Sequence, residues 1–501
     1  MSGELNSTRR WLLNMGGMAM LSSSLPPGVS LAQTTPVPSA TGDSADHADH
    51  DTEAPPVSAT TQALADYIAQ TLDRPLPDAV LATTKLHVLD SIAAMVSGSR
   101  LKPGVFAARY IDSQGGKPQA TVIGTDILTS PVNAAFANGM MGHADETDDT
   151  HPGGPFHAGC GTVAAALATG ELVGRNGAEF LRAVALGYDV GARLLLALGG
   201  TKHNPSCMTN SFATAATSAA MLRLDSRQVR YVLSYAGQQA SGLGYWDRDL
   251  EHIEKAFDFG GMGTRNGVTA ATMVAMGCTA VDDPFSGTPN ILSVLGNKPA
   301  PEALVSELGS RFEVVNTTLK KWTVGLPLQS VLDSTSALIT NRSVRAGNIK
   351  RIVVEISAGD THIVDNNPNP DLCVQHLIAL MIADHGVNFA SVHDAARMRD
   401  PKVLAIRKLV QVVPSSELQA AMPPHQSIVR IQTSDGHSYE QRTNIVRGLA
   451  RNPMDAQEVS AKALDLMGSI LGASRANELI AALNNFDQFG PVGSLRRLLQ
   501  A

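Results

Sequence analysis

Residues 161–174 read GTVAAALATGELVG, a run in which most side chains are small or apolar. Its apolar residues recur three and four positions apart, which predicts an α-helix. Because almost no polar face remains, such a helix must pack against neighbours over most of its surface. The run therefore predicts a multi-layered helical core and, with it, a mainly α protein.

Similar helical spacing extends from residue 59 to about residue 315. It is found in TTKLHVLDSIAAMVSG at 83–98, GAEFLRAVALGYDVGARLLLAL at 177–198 and NSFATAATSAAMLRL at 210–224. Asp225 precedes a further helical pattern, and we expect its side chain to cap that helix. We predict that residues 59–315 form the first part of a large all-helical domain.

The pattern then changes to alternating, β-rich segments. Residues 349–359, IKRIVVEISAG, and residues 427–443, SIVRIQTSDGHSYEQRT, are typical of strands. Asp435-Gly436 in the second segment predicts a hairpin turn. Residues 371–386, DLCVQHLIALMIADHG, lie between them and have helical spacing. We predict a smaller α+β domain over residues 316–450.

Residues 451–501 return to amphipathic helices, in NPMDAQEVSAKALDLMGSILG and ANELIAALNNFDQF. Their apolar faces can dock on the first helical domain. Two folded parts also suit a chain of 501 residues, since single cores rarely grow beyond ~250–300 residues.

The N-terminus has the order of an export signal. Arg9-Arg10 precede a modestly apolar run, and the small residues Ser30 and Ala32 flank Leu31, with cleavage expected after Ala32. We predict a twin-arginine signal peptide at residues 1–32 and a disordered Pro-, Ser- and Asp-rich linker at 33–58. A chance apolar N-terminus or a retained anchor is the alternative. Export by the twin-arginine machinery would place the protein in the periplasm, with no membrane contact after cleavage.

Composition excludes several classes of protein. A hydrophobic fraction of 44% and a net charge of -7 exclude a disordered polyanion and leave no basic face for nucleic acid. Four separated cysteines without CxxC spacing support neither an iron–sulfur cluster nor a structural zinc site. One or two disulfides stay open as alternatives. The cysteines are Cys160, Cys207, Cys278 and Cys373.

Residues 142–160, GHADETDDTHPGGPFHAGC, concentrate histidines and carboxylates in one loop, for which three interpretations are open. A hydrated helix end would use the carboxylates as caps. An acid/base site would gather carboxylate, hydroxyl and imidazole groups, with histidine titrating near neutral pH. A metal site is less well supported, because the spacing matches neither HExxH nor an EF-hand loop. Its ligands would be His143, Asp145 or Glu146, Asp149 and His151.

The run HADETDDTH, with His157 downstream, resembles the histidine–Asp-Asp-Thr loop of the MmgE/PrpD family. That family includes 2-methylcitrate dehydratases, cis-aconitate decarboxylases and an iminodisuccinate epimerase. Further stretches follow in the family's order. They are GYDVGARL at 187–194, KHNPSCMTNSFATAA at 202–216, EKAFDFGGMGTRNG at 254–267 and RGLARNPMDAQEVSAKALDLM at 447–467.

The resemblance implies a large helical domain built from both ends of the mature chain and a smaller α+β lid inserted before the final helices. It also implies a homodimer, an active site in the cleft between domain and lid and, as in the family's decarboxylase and epimerase branches, a reaction that needs no metal or organic cofactor. The shared chemistry of the family is a carbanion formed beside a carboxylate.

The resemblance further implies roles for individual residues. His157 and His203 would be the acid/base pair, and Lys255 would stabilise the growing carboxylate charge. Glu146 and Thr150 would orient the pair. Substrate binding would fall to the remaining matched positions, which are His143, Asp149, Lys320, Lys321, Gln329 and His376.

Several positions depart from the family pattern. Asp258 replaces the histidine of a Lys-x-x-His segment, and His376 stands about where decarboxylases have a tyrosine. Thr323, Gly325 and Gln329 lie near places where the dehydratases and decarboxylases usually show proline and histidine. We therefore expect the substrate to differ from those of the methylcitrate and cis-aconitate enzymes, and a difference in reaction type stays open.

The sequence as a whole predicts an exported, cofactor-independent lyase that dehydrates a small di- or tricarboxylate. Epimerisation or decarboxylation by the same carbanion chemistry is the first alternative. A non-catalytic periplasmic polycarboxylate-binding protein is the second, and a metallohydrolase is the third.

Overall fold

The computed structural model describes residues 56–341 and 344–500. The predicted signal peptide and nearly all of the predicted linker lie outside these residues. Within them the protein is mainly α-helical, as the sequence predicted.

Helices and one short hairpin make up the first part of the described chain. The hairpin pairs β1 (Ala120–Thr121) with β2 (Leu128–Thr129). The helices are α1 (Ala59–Ala69), α2 (Asp78–Gly98), α3 (Lys102–Gln114), α4 (Pro131–Gly142), α5 (Ala158–Val173), α6 (Gly177–Ala197), α7 (Pro205–Met221), α8 (Ser226–Gln238), α9 (Ile253–Ala256), α10 (Gly263–Ala275) and α11 (Ile291–Leu295).

Helix α5, which contains the GTVAAALATGELVG run, lies at the centre of this part. Its residues 158–170 are all buried. Glycine permits the close packing: an added Cβ at Gly161 would lie 2.5 Å from Asn210 Oδ1 of α7. A Cβ at Gly187 of α6 would lie 2.3 Å from Thr217 Oγ1. The small residues therefore let α5, α6 and α7 pack closely, with almost no side chain between their backbones at these points.

The helix cap that the sequence predicted is present. The Asp225 side chain accepts a hydrogen bond from the Gln228 backbone N–H at 2.9 Å, and the Gln228 side chain accepts one from the Asp225 N–H at 3.0 Å. This reciprocal pair satisfies two donors at the start of α8.

Residues 326–443, here called the α+β region, contain a four-stranded mixed sheet. Its strands are β3 (Ile349–Ser357), β4 (Val410–Ser415), β5 (Ser427–Thr433) and β6 (Ser438–Thr443), in the order β4-β3-β5-β6. Strands β3 and β4 are parallel and the other neighbours are antiparallel. The helices are α12 (Gln329–Asn341), α13 (Ala358–Val364), α14 (Val374–Asp384), α15 (Phe389–His393), α16 (Pro401–Arg407) and α17 (Ser416–Gln419).

The β5–β6 hairpin forms where Asp435-Gly436 predicted it. Gly436 has φ +92°, and the Asp435 side chain accepts a hydrogen bond from Thr433 Oγ1 at 2.5 Å. The predicted helix between the strands is α14, whose apolar residues join Ile352 and Val354 of β3 in a separate hydrophobic core.

The last helices are α18 (Ala456–Leu471), α19 (Ala473–Asn484) and α20 (Arg496–Leu499). Their buried residues belong to the same core as α2, α5 and α6. Lys462 of α18 also pairs with Asp90 of α2 at 2.7 Å and donates to the Thr147 carbonyl at 2.9 Å. The C-terminus therefore packs against the helical core and the loop that follows α4.

Helix α2 is long and apolar enough to cross a membrane, with 21 residues and a mean hydropathy of 1.4. Since 67% of that window is buried within the protein, α2 has the environment of a core helix. The four cysteines are all free, so the structure contains none of the disulfides left open above.

Candidate active site

The loop between α4 and α5 begins at His143, the C-cap of α4, and ends at His157, the N-cap of α5. Thr150 fixes its middle by a two-way backbone pairing with Thr318, with N–O distances of 3.1 and 2.9 Å. All of residues 143–151 are buried. Ionisable side chains so placed must find partners inside the protein.

Asp149 is enclosed by structural partners. Its Oδ1 accepts the Gly159 N–H of α5 at 3.0 Å, and its Oδ2 lies 2.6 Å from His87 Nδ1 of α2. Tyr188 of α6 donates its hydroxyl to the same oxygen. Asp149 therefore joins three helices, and it does not line the cavity described below.

Asp148, which the sequence analysis did not assign a role, lies at the centre of the loop. Its carboxylate is 2.9 Å from His143 Nδ1 and 3.1 Å from His157 Nδ1. Burial by itself raises the pKa of Asp148, but the two imidazoles hold that pKa well below its usual value. Burial lowers the pKa of His143 to about 4 against the influence of Asp148. An ionised Asp148 thus accepts hydrogen bonds from a neutral His143 and from His157.

Glu146 forms the second charged group. It pairs with Lys255, and its backbone carbonyl accepts a hydrogen bond from Lys320 Nζ at 2.7 Å. Lys320 is fully buried, and its ammonium lies 3.8 Å from Asp148 Oδ1. Burial raises the pKa of Glu146, but the charges of Lys255 and Lys320 outweigh it and keep the pKa well below its usual value. Of the two carboxylates, Lys255 therefore pairs with Glu146 alone, whereas Lys320 lies near both Glu146 and Asp148.

A π-helical turn at Phe257–Met262 presents aromatic groups to this cluster. The Phe259 ring stacks on His143, with centroids 4.6 Å apart and an interplanar angle of 5°. Lys255 Nζ lies 5.3 Å from the Phe259 ring centroid and 5.0 Å from that of Trp246. A π-turn in an otherwise α-helical segment often marks a functional site.

These groups open onto a cavity of about 360 Å³, here called the site cavity. Its reactive end is formed by Glu146, His157, Lys255 and Lys320. The rest of its lining is Thr150, His151, Pro152, Gly154, Pro155, Trp246, Phe259, Thr318, Gly325, Leu326, Pro327, Ile363, Leu372, Pro423, Pro424, His425, Val446 and Leu449. It lies between the helical core and the α+β region.

Comparison with known proteins decides the family. The MmgE/PrpD N-terminal domain matches residues 62–304, and the MmgE/PrpD C-terminal domain matches residues 322–488. The chain belongs to the MmgE/PrpD family. It is 23% identical to the cis-aconitate decarboxylase of Homo sapiens over 457 residues, covering 85% of this chain and 91% of that protein. The Mus musculus cis-aconitate decarboxylase is also 23% identical, over 461 residues and 90% of its length.

The structure of this MmgE/PrpD protein gathers some of the predicted site residues. Glu146, Thr150, His157, Lys255 and Lys320 all line the site cavity. His143 lies directly behind His157, with ring centroids 4.6 Å apart.

Other predicted residues lie elsewhere. His203 is exposed in the loop before α7 and does not line the site cavity. Lys321 is 35% exposed and lies over the Trp322 ring. The buried Gln329 amide donates to the carbonyls of Trp322 and Val324, which fixes the chain before α12. None of these three side chains reaches the reactive end.

His376 lies inside the hydrophobic core of the α+β region on α14. Neither ring nitrogen has a hydrogen-bond partner among the described residues. Burial, with the charges of Arg407 and Arg397, lowers the pKa of His376 to about 4. It is therefore a neutral core side chain that does not line the site cavity.

Asp258, which replaces a family histidine, accepts a hydrogen bond from the Asn204 amide. Burial raises the pKa of Asp258 to about 7. The replacement thus supplies a carboxyl group that titrates near neutral pH, tied to the N-cap of α7.

Several further histidines, which were not predicted from the sequence, join the site from distant parts of the chain. His252 lies 3.9 Å from Glu146 in a left-handed backbone conformation, with φ +60°. His425 lines the site cavity, and its Nδ1 is 2.9 Å from Asp360. His393 of α15 lies 3.2 Å from Asp145. Their surrounding sequences carry no motif that would identify them.

A metal ion would find a set of ligands that shares only His143 with the set predicted from the sequence. Among the described residues, the potential ligand atoms of His143, Asp148 and His157 lie within 4.8 Å of one another. The ring nitrogens already lie at hydrogen-bond distance from Asp148, and the Lys320 ammonium is 3.8 Å from the same carboxylate. A cation beside that ammonium would be repelled, so the geometry fits proton transfer better than metal binding.

Proposed function

We propose that this protein is a cofactor-independent lyase that forms a carbanion beside a carboxylate, and that it dehydrates a small di- or tricarboxylate. The observation that carries the proposal is the pairing of His157 with Asp148. His157 lines the site cavity while its Nδ1 lies 3.1 Å from a buried carboxylate. That arrangement leaves Nε2 as the ring nitrogen for the substrate.

In the proposed reaction, His157 Nε2 removes a proton from the carbon next to a substrate carboxylate. Asp148 fixes the ring and stabilises the imidazolium that forms, as an oriented carboxylate does in other acid/base sites. The electron pair left on carbon spreads into the carboxylate as an enediolate. Expulsion of the β-hydroxyl, with a proton supplied by the site, gives water and an unsaturated acid.

Lys255 and Lys320 support the enediolate step. Both residues line the site cavity, and the Lys320 ammonium lies 3.8 Å from the Asp148 carboxylate that is also hydrogen-bonded to His157. Preorganised cations of this kind stabilise charge as it develops and need no reorganisation at the moment of reaction. Thr150, held by its pairing with Thr318, adds a hydroxyl at the same wall.

Decarboxylation is the second candidate, and two observations favour it. The relatives reported above are named cis-aconitate decarboxylases. The α+β region also lines the site cavity with apolar side chains, which would destabilise a carboxylate that is lost as carbon dioxide. Epimerisation would use the same carbanion with reprotonation from the opposite face.

We also propose that the α+β region acts as the lid of the site, that the protein forms a homodimer and that it is exported to the periplasm. The lid role rests on the position of the site cavity between this region and the helical core. Export rests on Arg9-Arg10 and the apolar run that follows them. A binding protein without turnover is the alternative from another functional class.

Proton NMR in D₂O tests the proposal. The purified protein is incubated with a panel of di- and tricarboxylates, and we expect deuterium at a carbon α to a carboxylate together with new vinyl signals. Carbon dioxide release would select decarboxylation instead. His157→Ala should abolish exchange, whereas His437→Ala, on the exposed β5–β6 hairpin, should retain it. Exchange that survives in His157→Ala, or binding without exchange across the panel, would overturn the proposal.

A further inference from the structure

The site cavity has two chemically different sides. The reactive side carries Glu146, His157, Lys255 and Lys320. The α+β region supplies the opposite wall, where His425 is its ionisable member. The other side chains of that wall are apolar, notably Leu326, Pro327, Ile363, Leu372, Pro423 and Pro424.

The cations of the reactive side already have acidic partners. Lys255 pairs with Glu146, and Lys320 lies 3.8 Å from Asp148 and 3.9 Å from Glu146. His425, on the opposite wall, pairs with Asp360 at 2.9 Å. Two lysines therefore face two ionised carboxylates, so the charges of these four groups balance.

That balance limits the charge a ligand can bring. The Lys255 ammonium has three N–H donors and pairs with one carboxylate, so it can still hold one substrate carboxylate. No arginine is found among the described residues that line the site cavity. A tricarboxylate would bring further charges against proline and aliphatic side chains, where they would lose water without gaining a partner.

We propose, on the basis of the function proposed above, that the substrate is a dicarboxylate and not a tricarboxylate, and that it carries an apolar substituent, an alkyl chain or a ring. One carboxylate is held at Lys255 and Lys320, and the substituent packs against Leu326, Ile363 and Leu372. The site cavity of about 360 Å³ lies within the range of small-molecule pockets, about 300–1,000 Å³. Its apolar wall gives space that a small polar acid would leave unfilled.

Calorimetric titration of the full chain tests this specificity. The probes are succinate, methylsuccinate, butylsuccinate, benzylsuccinate and propane-tricarboxylate. We expect Kd to fall by about fourfold for each buried methylene, and we expect propane-tricarboxylate to bind no tighter than succinate. A Kd that does not respond to the alkyl chain, or tighter binding of the tricarboxylate than of butylsuccinate, would overturn the inference.

A pair of variants tests the wall directly. Ile363 is 39% exposed and lines the site cavity, whereas Ile445 is 37% exposed and does not line it. Ile363→Lys should weaken butylsuccinate binding and tighten propane-tricarboxylate binding, each by about fivefold, because it adds a cation to an apolar surface. Ile445→Lys should change neither Kd. Equal effects of the two substitutions would contradict the assignment of the wall.

Binding and chemistry are measured separately, so the two proposals can fail independently. Tight butylsuccinate binding without deuterium exchange in any probe supports the inferred ligand class while the proposed lyase activity fails. Deuterium exchange into propane-tricarboxylate without any alkyl preference supports the lyase activity and overturns the inferred substrate class.

Discussion

Asp148 Oδ1 lies 3.1 Å from His157 Nδ1. The Asp148 carboxylate is fully buried, and His157 lines the site cavity. Asp148 also binds His143, so one carboxylate orders two rings. The direction of the His157 ring, and with it the position of its free nitrogen, therefore depends on Asp148.

Replacing Asp148 with asparagine should disable the base while keeping most of the shape. An amide cannot accept both Nδ1–H groups as an anion does, and it does not stabilise an imidazolium, so we expect kcat to fall by about a hundredfold or more. KM should change little, because Asp148 does not line the site cavity. The control is Asp435→Asn, which alters an exposed Asp–His pair on the hairpin. A KM effect without a kcat effect would contradict this role.

Lys320 and Lys321 offer a matched pair in adjacent positions. Lys320→Met would leave Glu146 and Asp148 without their buried ammonium, and breaking such a buried pair should lower the free energy of unfolding by about 3 kcal/mol. Lys321 lies at the surface, 3.9 Å from Asp333. Lys321→Met should therefore change the free energy of unfolding by less than about 1 kcal/mol. Urea unfolding of both variants measures the difference. Equal losses of unfolding free energy in the two variants would contradict the role of Lys320 as the buried partner of Glu146 and Asp148.

The adjacent lysines show where sequence reasoning stops. Both lie in one segment, LKKWTVG, and no periodic pattern separates a buried from an exposed residue there. Asp148 and Asp149 pose the same problem, since one faces the histidines and the other binds His87 and Tyr188 of the core helices. In an irregular loop the direction of each side chain depends on tertiary contacts that the sequence does not encode locally.

Regular elements were predicted much better than side-chain directions. The Ala- and Gly-rich run of α5 and the Asp435-Gly436 turn both rest on local constraints, namely residue size and backbone conformation, and both appear where expected. The histidine-rich loop was also located, because titratable groups are dense there. His252, His393 and His425 were missed because long-range packing alone brings them to the site.

The position of His203 leads to a prediction that differs from the sequence expectation. The family pattern assigned it to the acid/base pair, but its side chain is exposed and outside the site cavity. We expect His203→Ala to keep deuterium exchange within about threefold of the unaltered protein, whereas His157→Ala loses it. Loss of exchange in both variants would mean that the loop carrying His203 moves into the site during turnover.

The contact between His393 of α15 and Asp145 of the loop between α4 and α5 should make stability depend on pH. Burial opposes protonation of His393, but Asp145 at 3.2 Å raises its pKa from 6.5 to about 9. Because the folded-state pKa lies above the unfolded one, the contribution to stability is complete below about pH 6.5 and disappears as pH rises through 9. Unfolding free energies measured from pH 6 to pH 10 should therefore decline in the unaltered protein. The decline should be smaller in His393→Gln and unchanged in His437→Gln, since His437 is exposed. A pH profile that His393→Gln leaves unaltered would assign the decline to other groups.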